Sequence, residues 1–292
     1  ARAALAARGG TPRERALVQA LADWTEGGEM ARAAAGLEAI AQEDPHDILA
    51  LRLAHGIRFM LGEAVEMRHA IEAALPRWNA AMPGYAHLLG CHAFTLEETG
   101  EARRAEAVGR RAVALDPTDL WGAHAVAHAI GAQGRMREGI AWLRWLEPHL
   151  AGGSNFVRHV HWHRALFHLA LGQHEAALAL HDEKVWAEAS EDVRDLMNAA
   201  HLLWRLEAAG VPVGAARWDA LAEVAERRIG EHAWAFADLH VVLALAGAGR
   251  REAAARMLAS IAGHAASHGG DQARLHGEIG LAAARAVADA AA

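Results

Sequence analysis

A glycine recurs along this chain at nearly constant intervals. Gly28, Gly62, Gly100, Gly134, Gly172, Gly210 and Gly249 are separated by 34, 38, 34, 38, 38 and 39 residues. Each closes one amphipathic stretch and precedes another, as a glycine at a helix C-terminus does, because only glycine enters the left-handed region without strain. A fixed period of this length is the mark of a repeated supersecondary unit, and it constrains the fold more than any single motif.

Five residues after each glycine a small residue usually follows: Ala33, Ala105, Gly139, Ala177, Ala215 and Ala254, with Met67 the exception. Small residues at a fixed place let two antiparallel helices approach closely. Some units end in Asp-Pro, at Asp44-Pro45 and Asp116-Pro117, followed by Asp47 or Asp119 as a cap for the next helix. The stretch 151–155, AGGSN, reads as a loop between units. Helix, glycine turn, helix and proline turn at this period predict an all-α, tetratricopeptide-like superhelix of antiparallel helix pairs. The expectation is one domain over residues 1–292, with about seven helix-pair units stacked around a concave face.

Composition narrows the function. Hydrophobic residues make up 53% of the chain, and alanine is the most frequent of them, which favours close-packed helices over sheets. Net charge is −7, no Lys/Arg-rich run occurs, and Lys184 is the single lysine. A nucleic-acid partner and a polybasic membrane patch are therefore not expected. No apolar run approaches the roughly 20 residues of a membrane helix. Cys91 is the single cysteine, which excludes an intrachain disulfide and multi-thiolate metal sites and fits a reducing cytoplasm. The opening ARAALAARGG lacks the build of a secretory signal and begins without Met, so a trimmed start is expected. Of the tryptophans, Trp121, Trp142, Trp145, Trp204 and Trp218 fall at core-like helical spacing.

Histidine is the unusual component, with 20 residues. Three pairs stand at i,i+4: His124/His128 in HAVAH, His159/His163 in HVHWH, and His264/His268. The first two lie on the first helices of successive units, where a tetratricopeptide groove is lined. One helical turn puts both imidazoles of a pair on one face, the spacing a metal takes from one helix. Two such pairs on neighbouring helices could supply three or four nitrogens to Zn, Fe, Cu or Ni. The same residues equally serve as hydrogen-bonded groove or interface histidines. His161, His168, His174, His181 and His201 read as structural, and His264 with His268 as a solvated loop. HAVAH lacks the glutamate of a zinc-protease helix, and no phosphate loop, GxSxG elbow or dinucleotide fingerprint occurs. Glu97, Glu98, Asp195 and Asp238 are the carboxylates to weigh. Asp238 and His240, in FADLH, share a first helix, where an acid near a His can hold its tautomer.

Several stretches together resemble the tetratricopeptide repeat protein 38 family. They are ALVQALADWTEGG (16–28), LALRLAHGIRFMLG (49–62), AFTLEETG (93–100), HAVAH (124–128), HVHWHRALFHLALG (159–172), LLWRLEAAGVPVG (202–214) and FADLH (236–240). The resemblance spans nearly the whole chain, and members continue past its end. It implies histidines that matter at His55, His124, His128, His159, His163 and His240, and acids at Glu98, Asp195 and Asp238. The family's His-Asn-aromatic-Trp-His reads HVHWH here, and a family Asp is Asn198.

Two functions follow. In the first, the groove holds a small molecule or a divalent transition metal, Zn or Fe. His124, His128, His159 and His163 are the metal ligands, and His128, His163, Asp238 and His240 the candidate acid–base groups; His55, Glu98, Trp162 and Asp195 complete the pocket. In the second, the groove binds a peptide or protein partner without catalysis. An oligomer is compatible with either.

Overall fold

A computed structural model describes residues 2–267 and 269–291; His268 lies outside the described residues. Those residues are helical with no strand, and the fold is all-α and tetratricopeptide-like. The helices gather into two compact units, Ala1–Gly134 and Arg135–Ala292, each described by itself.

The first unit contains α1 (Arg2–Arg8), α2 (Pro12–Thr25), α3 (Met30–Glu43), α4 (Ile48–Leu61), α5 (Ala64–Ala74), α6 (Tyr85–Glu98), α7 (Ala102–Leu115) and α8 (Leu120–Ala132). The second contains α9 (Met136–Leu146), α10 (Phe156–Ala170), α11 (His174–Leu180), α12 (Val193–Ala208), α13 (Ala215–Arg227), α14 (Ala235–Gly247), α15 (Arg251–Ser267), α16 (Asp271–Leu275) and α17 (Leu281–Ala290). Single π-helical turns follow α11 at His181–Val185 and α16 at His276–Gly280.

All seven periodic glycines adopt the left-handed conformation, with φ between 69° at Gly28 and 86° at Gly100. After Gly28, Gly62, Gly100, Gly172, Gly210 and Gly249 the turn is the same: the next residue bonds back to a carbonyl of the helix just ended. Glu63 reaches Arg58 at 3.0 Å, Glu101 reaches Leu96 at 2.8 Å and Arg250 reaches Leu245 at 2.9 Å. These bonds satisfy carbonyls that the helix end leaves free. The Asp-Pro turns also fulfil their expected role. Asp47 accepts from the amide of Ala50 at 3.1 Å and Asp119 from that of Gly122 at 3.2 Å, capping α4 and α8.

The small residues of the second helices are buried at Ala33, Ala105, Ala177 and Ala254. Gly139 is held so close to α10 that a Cβ there would lie 2.5 Å from a ring carbon of Phe167. Ala215 departs from the expectation and is exposed. Val211–Gly214 intervenes after the turn, so α13 starts later and Trp218 takes the contact instead, against Gly247 of α14. Trp145 and Trp204, expected in the core, are 50% and 39% exposed.

Within the first unit α4, α6 and α8 lie side by side, with α3, α5 and α7 behind them. In the second, α10, α12, α14 and α17 do the same, backed by α11, α13 and α15. Two glycines bring α6 and α8 into contact: a Cβ on Gly90 would lie 3.1 Å from the Cα of Gly122. That close crossing decides what the next residues along both helices meet.

Gly139→Ala should destabilise the protein by about 1–3 kcal/mol in urea unfolding, because Phe167 must give way. Gly56→Ala, inside α4 where a Cβ would meet nothing within 4 Å, should instead stabilise by about 0.5–1 kcal/mol. Equal effects at the two positions would contradict the close approach of α9 and α10.

Candidate functional site

In the first unit, histidines and aromatic rings meet on α4, α6 and α8, one to two turns beyond the Gly90–Gly122 crossing. Phe94 of α6 lies at the centre. Its ring contacts His55 at 5.7 Å between centroids, Trp121 at 4.8 Å, His124 at 5.6 Å and His128 at 5.6 Å. His124 and His128 face each other at 4.3 Å, so the expected pairing one turn apart is present in space. His128 Nδ1 lies 3.3 Å from Glu97 Oε2. Glu97, Glu98 and His128 each bring one donor atom within 4.8 Å of the others. Glu98 is at the exposed rim, where partial desolvation and then the negative charge of Glu97 raise its carboxyl above the usual range.

His55 is 3% exposed, and neither ring nitrogen meets a hydrogen-bond partner among the described residues. Burial and then the nearby Arg52 guanidinium push its pKa down to about 3. It is a neutral base held between Phe94 and Trp121. Arg52 itself lies over the Trp121 ring at 5.1 Å and donates to the buried Cys91 thiol at 3.4 Å.

In the second unit, the pair on α10 is more explicit. His159 Nδ1 lies 2.8 Å from Asn198 Oδ1 on α12, and His159 Nε2 lies 3.1 Å from His163 Nε2. The amide oxygen can only accept, so His159 carries its proton on Nδ1 and turns a lone pair toward His163. Trp162 stacks on His159 at 4.9 Å and 20° and meets His201 of α12 at 5.2 Å. His201 in turn stands 6.2 Å from His240 of α14. The indole nitrogen of Trp162 and Nδ1 of His201 are buried without a hydrogen-bond partner among the described residues. Burial, then Arg205, lowers the His201 pKa to about 3. Burial likewise lowers that of His240, although its Nδ1 donates to the Phe236 carbonyl at 2.9 Å. His161, two residues from each member of the pair, faces Arg164, Glu147 and Lys184 instead.

Two acids expected in the pocket are engaged with other partners. Asp195, 2% exposed, accepts from Ser190 at 2.7 Å in the first turn of α12, with the Arg158 guanidinium 3.6 Å away. Asp238 diverges from His240, because two residues along a helix point to opposite sides. Its Oδ2 meets His232 Nδ1 at 2.7 Å and His276 Nε2 at 3.0 Å. His264 belongs to α15, not to a solvated loop, and stacks on His232 at 4.7 Å and 9°.

His201, expected to be structural, carries a periodic signal of its own. His163, His201 and His240 each precede a turn glycine by nine residues, so they occupy one repeat position in three consecutive units. His232 and His276 have no such marker; one is in a connection and the other in a π turn.

No protein-family model matches the chain. Among solved structures it is similar to the APC/C hetero-tetramer Cut9-Hcn1, at 14% identity over 90% of this chain and 53% of that one, with a TM-score of 0.51. The chain thus spans about half the length of that protein (53%). It is also similar to the C-terminal part of a TPR repeat-containing protein from Cytophaga hutchinsonii, at 12% identity over 84% of this chain and 93% of that one, with a TM-score of 0.44. The first likeness shows the fold alone. Among the described residues no helix is long and apolar enough to cross a membrane.

The buried neutral histidines set an acid limit. His55 has a folded pKa near 3 against 6.5 in an unfolded chain. The unfolded state therefore binds the proton first as pH falls. Its contribution is complete above pH 6.5 and declines toward pH 3, at no more than about 1.4 kcal/mol per pH unit. Urea unfolding at pH 7, 5.5 and 4.5 should show a shallower decline for His55→Phe than for the wild type; parallel declines would contradict a neutral, buried His55.

Proposed function

We propose that this protein binds a divalent transition metal through imidazole pairs one turn apart on its side-by-side first helices, and holds a small molecule against the rings beside them. One observation carries the reading: the 3.1 Å between His159 Nε2 and His163 Nε2, with Asn198 fixing the His159 tautomer. Two nitrogens at about 2.0–2.1 Å from one zinc stand about 3 Å apart when the angle at the metal is near 100°. With His159 protonated at Nδ1, the contact between the two Nε2 atoms requires a proton from His163. A cation would take that place at His163 Nε2, and the proton would pass to Nδ1 of the same neutral ring. Asn198 acts one step behind the ligand, as such partners do.

His124 and His128 are the corresponding pair of the first unit, with Glu97 beside His128 to orient it. Zinc or iron suits a donor set of imidazoles and carboxylates. If the bound molecule is turned over, His128 beside Glu97, and His163 and His240 beside Trp162, are the acid–base candidates, since an imidazole moves a proton near neutrality. Buried ring nitrogens without partners, at His55 and His201, give the physical reason to expect a ligand: an unsatisfied buried polar group is costly. The tie to the tetratricopeptide repeat protein 38 family remains part of this proposal, carried by the ordered stretches and by His55, His124, His128, His159, His163 and His240.

The second reading is a partner-binding scaffold. The similar Cut9-Hcn1 is a hetero-tetramer, and in this chain Trp145, Trp204 and Phe236 are exposed. Elemental mass spectrometry separates the two. Near-stoichiometric metal in the wild type and a loss of one equivalent in His159→Ala/His163→Ala, at unchanged helicity, is the expected result. Asn198→Asp should tighten metal about tenfold, and Asn198→Val should weaken it about 10–100-fold. Metal content identical in wild type and double variant would sink the metal reading at this pair and favour the scaffold.

A further inference from the structure

A second histidine cluster lies in the second unit, away from the α10 pair and built from different elements. His232 comes from the connection between α13 and α14, His264 from α15 and His276 from the π turn after α16. One ring nitrogen from each lies within 4.8 Å of the others. The rings are in mutual contact, at 4.7 Å for His232 and His264, 5.6 Å for His232 and His276 and 5.4 Å for His264 and His276. His276 is fully buried (0% exposed), and its Nδ1 has no hydrogen-bond partner among the described residues.

We infer that His232, His264 and His276 form a metal site for a zinc-class divalent ion, with Asp238 as the carboxylate that orients it. Asp238 is 4% exposed and accepts from His232 Nδ1 at 2.7 Å, which leaves Nε2 of that ring as the donor to an ion. A carboxylate on the far nitrogen of a ligating histidine is the usual support for such a bond. The Nε2 atom now meets Ser260 Oγ at 2.8 Å, and that hydroxyl yields its place when a cation binds. Asp238, His232 and Ser260 in line also have the order of a proton relay. Ser260, however, lies inside α15, where the backbone N–H groups around it are committed to the helix and cannot form an oxyanion hole. Two further imidazoles converging on the same place favour an ion. Three imidazoles leave a fourth position for water.

The geometry also gives the ion a task. His232 holds a backbone φ of 48°, a left-handed value that favours glycine. An ion shared with α15 and the π turn would fix that connection and clamp the last helices of the unit to α14. The site is independent of both imidazole pairs, so it is tested in a His128→Ala/His163→Ala background. The full chain is stripped with chelator and titrated with Zn(II), then with Co(II) as a spectroscopic probe. We expect one equivalent bound, a cobalt band of tetrahedral intensity, and a rise in melting temperature on zinc addition. His264→Ala, whose side chain is only partly buried, should abolish all three while keeping wild-type helicity, and His264→Asp should restore binding. Asp238→Asn should weaken zinc about 10–100-fold. Zinc binding and thermal shift unchanged in His264→Ala, or no binding at all in the His128→Ala/His163→Ala background, would overturn the assignment.

Discussion

The structure depends on how closely two helices can approach after a left-handed glycine turn. The glycine ends one helix and returns the chain at once, and the small residue a turn further on removes the side chain that would hold the next helix away. At Gly139 and Phe167, and at Gly90 and Gly122, the separation is smaller than a Cβ would tolerate. First helices are therefore held side by side within each unit, and a residue on one meets residues of similar phase on the next. Phe94 reaches His55, Trp121, His124 and His128 because α6 lies against both α4 and α8. The pocket chemistry is thus a consequence of the backbone spacing.

Placing imidazoles on those faces has an electrostatic consequence. Desolvation is the largest influence on His55, His201 and His240, and in each it disfavours the charged ring. Asp238 shows the opposite balance: burial works to raise its pKa, but hydrogen bonds from His232 and His276 outweigh it and keep the carboxyl below the usual range. The first set are neutral bases among aromatic rings; the second is an anion that gathers imidazoles. His55 and His240 keep lone pairs free, whereas His201 Nε2 accepts from Arg205 Nε at 2.8 Å; Asp238 supplies charge.

Much of this was legible in the sequence because it follows from local periodicity. The turn glycines, the Asp47 and Asp119 caps and the two histidine pairs are statements about residues within one helical turn or one repeat. What was hidden depends on register or on irregular backbone. Ala215 sits at the expected spacing, yet Val211–Gly214 delays the helix and Trp218 takes its place. Asp238 and His240 are neighbours in sequence, but their helix turns them apart. His276 is placed by a π turn and His232 by a connection with positive φ, and no regular period marks either. His201 was readable in principle, since it falls on the repeat position of His163 and His240.

That shared position makes a chemical argument about the ligand. Residues at one place in successive repeats line up along a helical stack. His201 stands 5.2 Å from Trp162 and 6.2 Å from His240 by ring centroids, so the ladder is continuous on α10, α12 and α14. Two of its rungs, His201 and His240, are held neutral by burial, and a neutral ring has one donor and one acceptor. Such a surface offers little to an anion, which would need the charged form that burial opposes. His201 Nε2 accepts from Arg205 Nε at 2.8 Å, which leaves its Nδ1–H as a donor, while His240 keeps its Nε2 lone pair, so the surface suits an uncharged planar molecule that stacks on Trp162 and hydrogen-bonds at its edge. If the His159–His163 pair holds a metal as proposed, a carboxylate or phosphate would be received there, and a neutral ligand would not need it.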